Sequence, residues 1–205
     1  VASEDFLQTA IVVPSPALFD KTLIRDRVRG ERRDFARSLT PEARGALEAG
    51  LADALSPLWL GARIVAGYFP MKDEIDPAEA LAAARSAGCA TALPAFVERD
   101  GRMSFHGGEA DEIGPWGVRQ PSPGTPPLHP DLVLVPCVAV DGRGNRIGQG
   151  KGHYDRALAT LREGGPTKVI GIGWGLQLID DILVPDAWDI PLDGFASPDG
   201  LVLFR

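Results

Sequence analysis

The run Leu132 to Asp155, LVLVPCVAVDGRGNRIGQGKGHYD, constrains the fold more than any other stretch. Its first ten residues, Leu132 to Asp141, are nearly all apolar and rich in valine, the pattern of a strand buried on both faces. Gly142 to Asp155 then places five glycines in its first eleven residues, together with Arg143, Arg146 and Lys151. From Tyr154 onward, Ala157, Leu158 and Leu161 recur at helical spacing. Strand, glycine loop and helix in that order predict an α/β unit, and the loop has the means to hold an anion. Glycines let backbone N–H groups approach a ligand closely, and a helix start adds unpaired donors and a positive dipole end. Phosphate is the natural guest of Gly144, Gly148, Gly150 and Gly152 with two cations among them. The plainer alternative is an ordinary strand-to-helix connection with surface cations.

The rest of the chain repeats the alternation. A helix is expected from Asp20, with Ile24, Val28, Phe35 and Leu39 facing inward, and Lys21, Arg25 and Arg29 sharing another face at four-residue intervals. Thr40-Pro41-Glu42 supplies a cap, a first-turn proline and a first-turn acid for a packing helix through Leu47, Leu51, Ala54, Leu55 and Leu58. Arg63 to Phe69 reads as the first core strand, and Asp76 to Glu79 opens a helix that ends at Gly88. Between them Glu74 sits on a loop at the strand's carboxyl end, the edge where open α/β sheets bind ligands. It is placed to hydrogen-bond a polar ring, although its spacing alone favours a helix-opening acid. Cys89 to Val97 and Arg102 to His106 suggest a hairpin, and residues 107–130 a long loop in which Trp116 either covers a flat ligand or plugs a core edge. Lys168 to Trp174 predicts a strand, Leu176 to Leu183 a short helix, and Leu201 to Phe204 the last strand. The expected class is therefore α/β: a three-layer α/β/α single domain over residues 19–205, its mostly parallel sheet flanked by helices.

Charge narrows the function. A net charge of −7 argues against a general nucleic-acid or membrane binder. Lys21 to Arg37 nevertheless holds seven cations against three acids, whereas Asp180 to Asp199 holds six aspartates and no cation. That division suits an anionic ligand accompanied by a divalent metal, and equally suits two oppositely charged solvated faces. The two cysteines, Cys89 and Cys137, lie in apolar runs and suggest neither a disulfide framework nor a zinc site. No apolar run approaches the ~20 residues of a membrane span. The start VASEDF is acidic and lacks the basic flank of a signal peptide, so a reducing cytoplasm is the expected compartment. Residues 1–18 are read as an N-terminal extension without a role.

Two common phosphate motifs fail. Lys151 is followed by Gly152 rather than Ser or Thr, which rules out a Walker A loop, and His153 stands where a dinucleotide fingerprint needs its last glycine. VDGRGNRIGQGKGHYD instead resembles the pattern FDxxGxRLGxGxGYYD of the 5-formyltetrahydrofolate cyclo-ligase family, also called 5,10-methenyltetrahydrofolate synthetases. KTLIR near the start, YFPMKDEID, the PWG loop and PDAWDIPLD match the same family in the same order, so the resemblance spans nearly everything after residue 20.

The resemblance implies an ATP- and Mg²⁺-dependent enzyme that phosphorylates the formyl oxygen of 5-formyltetrahydrofolate and closes the ring. It implies ATP contacts from Lys21, Thr22, Leu23, Ile24 and Arg25 of the first helix. Arg146, Ile147, Gly148, Gln149, Gly150, Lys151, Gly152, His153 and Tyr154 would join them from the loop. Phe69, Glu74 and Trp116 are implied at the folate, sharing Gln149, Gly150, Lys151, Gly152 and His153 with the nucleotide. Lys151 and Arg146 match catalytic positions, and Asp155 and Asp189 match metal ligands. Small molecules, a reduced folate and ATP, are then the partners of a monomer or weak homodimer, with no nucleic acid or membrane. Two departures concern the folate pocket: His153 stands where the family prefers Tyr or Phe, and Trp188 replaces a small polar residue. The alternatives are a relative that uses ATP on another small amide or carboxylate, and a non-catalytic module that binds nucleotide or folate.

Overall fold

Asp20 and Thr40 behave as helix caps should. In the computed structural model, which describes residues 20–99 and 101–204, Asp20 accepts from Thr22 N at 2.8 Å and opens α1 (Lys21–Ser38). Thr40 accepts from Ala43 N and opens α2 (Pro41–Leu55), which runs on into a 3₁₀ turn (Ser56–Gly61) that buries Trp59. The extension expected over residues 1–18 lies outside the described residues. The first core strand is shorter than Arg63 to Phe69: β1 is Ile64–Ala66, and after Gly67, whose N–H still bonds the Ala92 carbonyl, the chain leaves the sheet toward Glu74. Asp76 then accepts from Ala78 N at 2.9 Å at the start of α3 (Ala78–Ser86), and Gly88, at a φ of 94°, follows its end.

β2 (Ala90–Ala95) and β3 (Ser104–His106) pair antiparallel, as the expected hairpin does. The long loop after them is not featureless: β4 (Glu112–Ile113) and β5 (Arg119–Gln120) form a small ladder with Trp116 at its turn. The valine-rich run divides. β6 (Leu132–Pro136) belongs to the central sheet, whereas β7 (Ala139–Asp141) leaves it after Pro136 and pairs with β8 (Arg146–Ile147). α4 (His153–Gly164) and β9 (Lys168–Ile172) follow as expected. The short helix expected over Leu176 to Leu183 is instead a 3₁₀ turn (Gly175–Gln177) and then β10 (Leu178–Ile179), parallel to β7. The buried Gln177 amide explains it. It accepts from Trp174 N and donates to the carbonyls of Cys137 and Val138, so the chain is pinned extended beside β7. β11 (Gly194–Ser197) and β12 (Gly200–Leu203) close the fold as an antiparallel hairpin.

The seven-stranded sheet has the order β12-β11-β9-β6-β1-β2-β3, parallel throughout its interior and antiparallel at both edges. Its central strands are buried on both faces, which accounts for their unbroken apolar sequence. Leu132, Leu134, Ile170 and Ile172 pack under α2 and α3 with Leu51, Leu55 and Leu81. Val133, Val135 and Val169 pack under α4 with Leu158 and Leu161. Each such leucine contributes about 1.5–3 kcal/mol by leaving water. The three-layer α/β/α arrangement is thus present. α1 meets its core near the helix's end, where Phe35 packs on Trp174, and its first half is seated through Ile24 and Val28 on Val138 and on Ala139, Ile147 and Ile179 of the small sheet β10-β7-β8. That seat brings α1 toward the glycine loop.

Candidate functional site

The glycine-rich stretch has two jobs, not one. Gly142 to Asn145 is the turn of the β7–β8 hairpin. The buried Asp141 carboxylate accepts from the backbones of Arg143, Asn145 and Leu183 and from the Asn145 amide. Gly144 has a φ of 83°, and a Cβ there would lie 2.7 Å from the Leu192 carbonyl oxygen. Gly144 and Arg143 therefore serve the turn rather than an anion cradle. The cradle begins at Gly148. Gly150 and Gly152 have φ values of 90° and 63°, which favour glycine, and Gly152 precedes α4 without any side-chain cap on the helix. First-turn amides of α4 are left for an anion.

Cations surround this loop. The Arg25 guanidinium donates to Gly148 O at 3.1 Å, and Arg29 donates to the Gln149 carbonyl and side-chain oxygens. Burial and then repulsion from Arg25 and Arg32 lower the Arg29 pKa, a sign of crowded positive charge that a ligand anion would relieve. Lys21 turns instead to Asp186 at 2.7 Å and Asp189 at 2.8 Å. Partial burial pulls its pKa down, but those two acids outweigh burial and leave it above the usual lysine value. Arg146, its side chain buried, holds Asp155 and the Ile190 carbonyl. The Lys151 ammonium lies 5.7 Å from the centre of the Trp116 ring.

All of these side chains except those of Arg29 and Arg32 line one cavity of about 560 Å³. Phe69, Glu74, Trp116, Arg146, Asp155, Asp189 and the whole segment from Ile147 to Tyr154 are on its wall, as are Lys21 and Arg25. Thr22, Leu23 and Ile24 are not: Ile24 is buried under α1 and Leu23 is largely exposed. Glu74 departs from the helix-opening role that its spacing favours. It is 5% exposed, Asp76 does the capping, and its carboxylate accepts from Met71 N at 3.0 Å and Gln149 Nε2 at 3.2 Å. Around it stand Tyr68, Phe69, Phe96, Met103 and Trp116, a mostly aromatic wall. His153 meets Phe96 and Trp116 edge-on, with ring centres 4.9 and 5.6 Å away. Burial holds the Tyr154 phenol far above its usual pKa, so it stays neutral.

Among the described residues, no group of three or more His, Cys, Asp or Glu is gathered to hold a metal. The donor set nevertheless suits Mg²⁺, which commonly takes one or two carboxylates and completes its octahedron with water and phosphate oxygens. Asp155 uses Oδ1 for Arg146 and Ile190 N, and Asp189 uses Oδ2 for Lys21 and Asp186 N. Asp155 Oδ2 and Asp189 Oδ1 take no hydrogen bond among the described residues, so each acid keeps one oxygen for a cation.

Several lining residues were not legible as such. Asp186, which pairs with Lys21, is one of them, whereas Trp188, marked in the sequence as a departure at the folate pocket, stands on the rim, two-thirds exposed. Phe96 and Met103 read only as strand residues. Arg32 lies behind Glu74, and its signal was present: it continues the Lys21, Arg25, Arg29 series by three more residues.

A sequence profile of the 5-formyltetrahydrofolate cyclo-ligase family matches residues 18–198. The probable 5-formyltetrahydrofolate cyclo-ligase of Caenorhabditis elegans is 36% identical over 100 residues, covering 43% of this chain and 47% of that protein. The 5-formyltetrahydrofolate cyclo-ligase of Escherichia coli is 37% identical over 68 residues, covering 33% of this chain and 36% of its own. The matched stretches thus span less than half the length of these curated relatives. Among solved structures, the 5,10-methenyltetrahydrofolate synthetase of Aquifex aeolicus superposes with a TM-score of 0.71 at 28% identity, over 90% of this chain and 93% of that one. The corresponding protein of Mycoplasma pneumoniae gives 0.67 at 22% identity, over 87% and 99%, a likeness of fold.

Proposed function

The chain belongs to the 5-formyltetrahydrofolate cyclo-ligase family, and from that premise we propose that it uses ATP to close the ring of 5-formyltetrahydrofolate. The products are 5,10-methenyltetrahydrofolate, ADP and phosphate. The observation that carries the proposal is a single cavity whose wall joins a glycine cradle, Lys21, Arg25, Arg146 and Lys151 to an aromatic surface with a buried carboxylate. A triphosphate and a flat reduced pterin need those two kinds of wall side by side.

The chemistry follows from what the substrate lacks. A formyl group on nitrogen five is an amide, too weak an electrophile for the neighbouring nitrogen ten. Its oxygen attacks the γ-phosphorus and ADP departs. Nitrogen ten then bonds to the activated carbon, loses its proton, and phosphate leaves carrying the former formyl oxygen. The protein's part is alignment and charge neutralisation. Gly148 to Gly152 and the start of α4 hold the phosphates, with Lys21, Arg25 and Arg146 around them. Lys151, a flexible point charge now resting beside Trp116, follows the transferred phosphoryl group. Glu74 accepts from the pterin's N–H edge, while Phe69 and Trp116 cover its faces. Asp155 and Asp189 would hold Mg²⁺, whose charge offsets that of the phosphates when bound.

The same reading makes the protein a monomer or weak homodimer of a reducing cytoplasm, acting on small molecules. Its net charge of −7 disfavours nucleic acid as a partner. No helix among the described residues is long and apolar enough to cross a membrane. Purified protein given Mg-ATP and 5-formyltetrahydrofolate should generate the methenyl chromophore. ATP turnover that ignores the folate would point instead to a relative with another acceptor.

A further inference from the structure

Arg32 occupies a place where a hydrocarbon would ordinarily sit. It lies in the inward stripe of α1 with Ile24 and Val28, only 6% exposed. A guanidinium there must be desolvated, and replacing such buried pairs by apolar residues of similar volume is often neutral or stabilising. Stability alone therefore gives no reason for this arginine. Its one ion-pair partner among the described residues is Glu74, with Nη1 3.6 Å from Oε1. That separation makes an ion pair without a hydrogen bond, and Arg32 Nε and Nη1 are buried with no hydrogen-bond partner among the described residues. A pair built only to hold the fold would close into the bidentate fork that arginine and carboxylate favour.

What the open pair leaves is acceptor capacity on the carboxylate. A carboxylate has about four lone-pair sites. Met71 N uses one on Oε2 and the Gln149 amide one on Oε1, while Arg44 holds the Glu74 carbonyl and fixes the backbone. Each carboxylate oxygen thus keeps a position for a ligand donor, and Glu74 lines the cavity where Arg32 does not. We infer that Arg32 is a positioning residue: from behind, it keeps Glu74 aimed into the cavity, so that the carboxylate accepts from two neighbouring N–H groups on the substrate's ring edge. This rests on the folate reading of the cavity.

A double-mutant cycle on Arg32→Met and Glu74→Gln tests it, with KM for 5-formyltetrahydrofolate, KM for ATP and the thermal midpoint as readouts. Arg32→Met should raise the folate KM by about tenfold or more, the scale of a charge-assisted contact, and leave the ATP KM within about twofold. Its thermal midpoint should fall, because Glu74 is left buried without its cation, and the double variant, which removes both charges, should regain it. Arg32→Lys should recover part of the loss, and the double variant should be no worse than Glu74→Gln alone. An unchanged folate KM in Arg32→Met, or effects that multiply in the double variant, would overturn the inference. Should Arg32→Met not accumulate folded, Arg32→Lys takes its place in the same cycle, and multiplying effects there overturn the inference equally. A wild-type protein that does not turn over 5-formyltetrahydrofolate overturns the folate reading as well. Turnover with multiplying effects overturns this inference alone.

Discussion

Lys151 is exposed, flexible and close enough to the Trp116 ring for a weak cation–π contact. Leaving that ring for a phosphoryl group costs little, which suits a charge that acts mainly in the transition state. Lys151→Ala should therefore lower kcat at least about tenfold, the loss of one charge-assisted contact of ~1.5–3 kcal/mol. An unchanged rate in a steady-state assay would remove the lysine from the mechanism. Asp189 has a different task, shared between Lys21 and the oxygen that stays open for a cation. Asp189→Asn should raise the Mg²⁺ concentration for half-maximal rate, and a metal titration identical to wild type would discard the ligand role. Arg32 marks the limit of reading at this scale. Its helical position was plain, but a charge on an inward stripe acquires meaning only when the carboxylate behind which it stands is known.

At the scale of elements, the β7–β8 hairpin sets where the cradle starts, and Gly144 sets the hairpin. Gly144→Ala meets both a positive φ and a backbone oxygen, and such strained positions cost ~1–3 kcal/mol before the clash is added. The variant should melt measurably lower while its ATP KM, taken well below the melt, stays near wild type. A large change in that KM with an unmoved melt would return Gly144 to the cradle. The helices were legible because their ends carry chemistry: Asp20, Thr40-Pro41 and Gly88 mark termini in the sequence and in the structure. The strands were less so. Leu132 to Asp141 reads as one apolar run, yet β6 and β7 belong to different sheets, and Pro136 is the only mark of the break. β11 escaped notice because Gly194 lies against the Val202 carbonyl, a close approach that needs no apolar pattern. The path around Gln177 was not legible either, since its amide bonds to Cys137 and Val138, just ahead of β7, from 40 and 39 residues away.

For the molecule as a whole, the sheet supplies a rigid floor and the ligand groups stand on loops and helix starts at its carboxyl edge. Cys137 reports on that floor. It is 2% exposed, and burial pushes its thiol up to about 12. Since the thiolate is the reactive form, alkylation at neutral pH should label Cys137 only when the protein unfolds. Rapid labelling of the native protein, read by mass spectrometry, would mean that the sheet edge beneath the site opens freely. With the folate and the nucleotide proposed to share the one cavity that Asp155 and Asp189 line, the phosphoryl group passes directly from one substrate to the other. It can be followed by placing a heavy-oxygen label in the formyl group of 5-formyltetrahydrofolate and weighing the phosphate formed in one turnover with Mg-ATP. Phosphate carrying that oxygen is the expected result, and unlabelled phosphate formed alongside the methenyl product would contradict it.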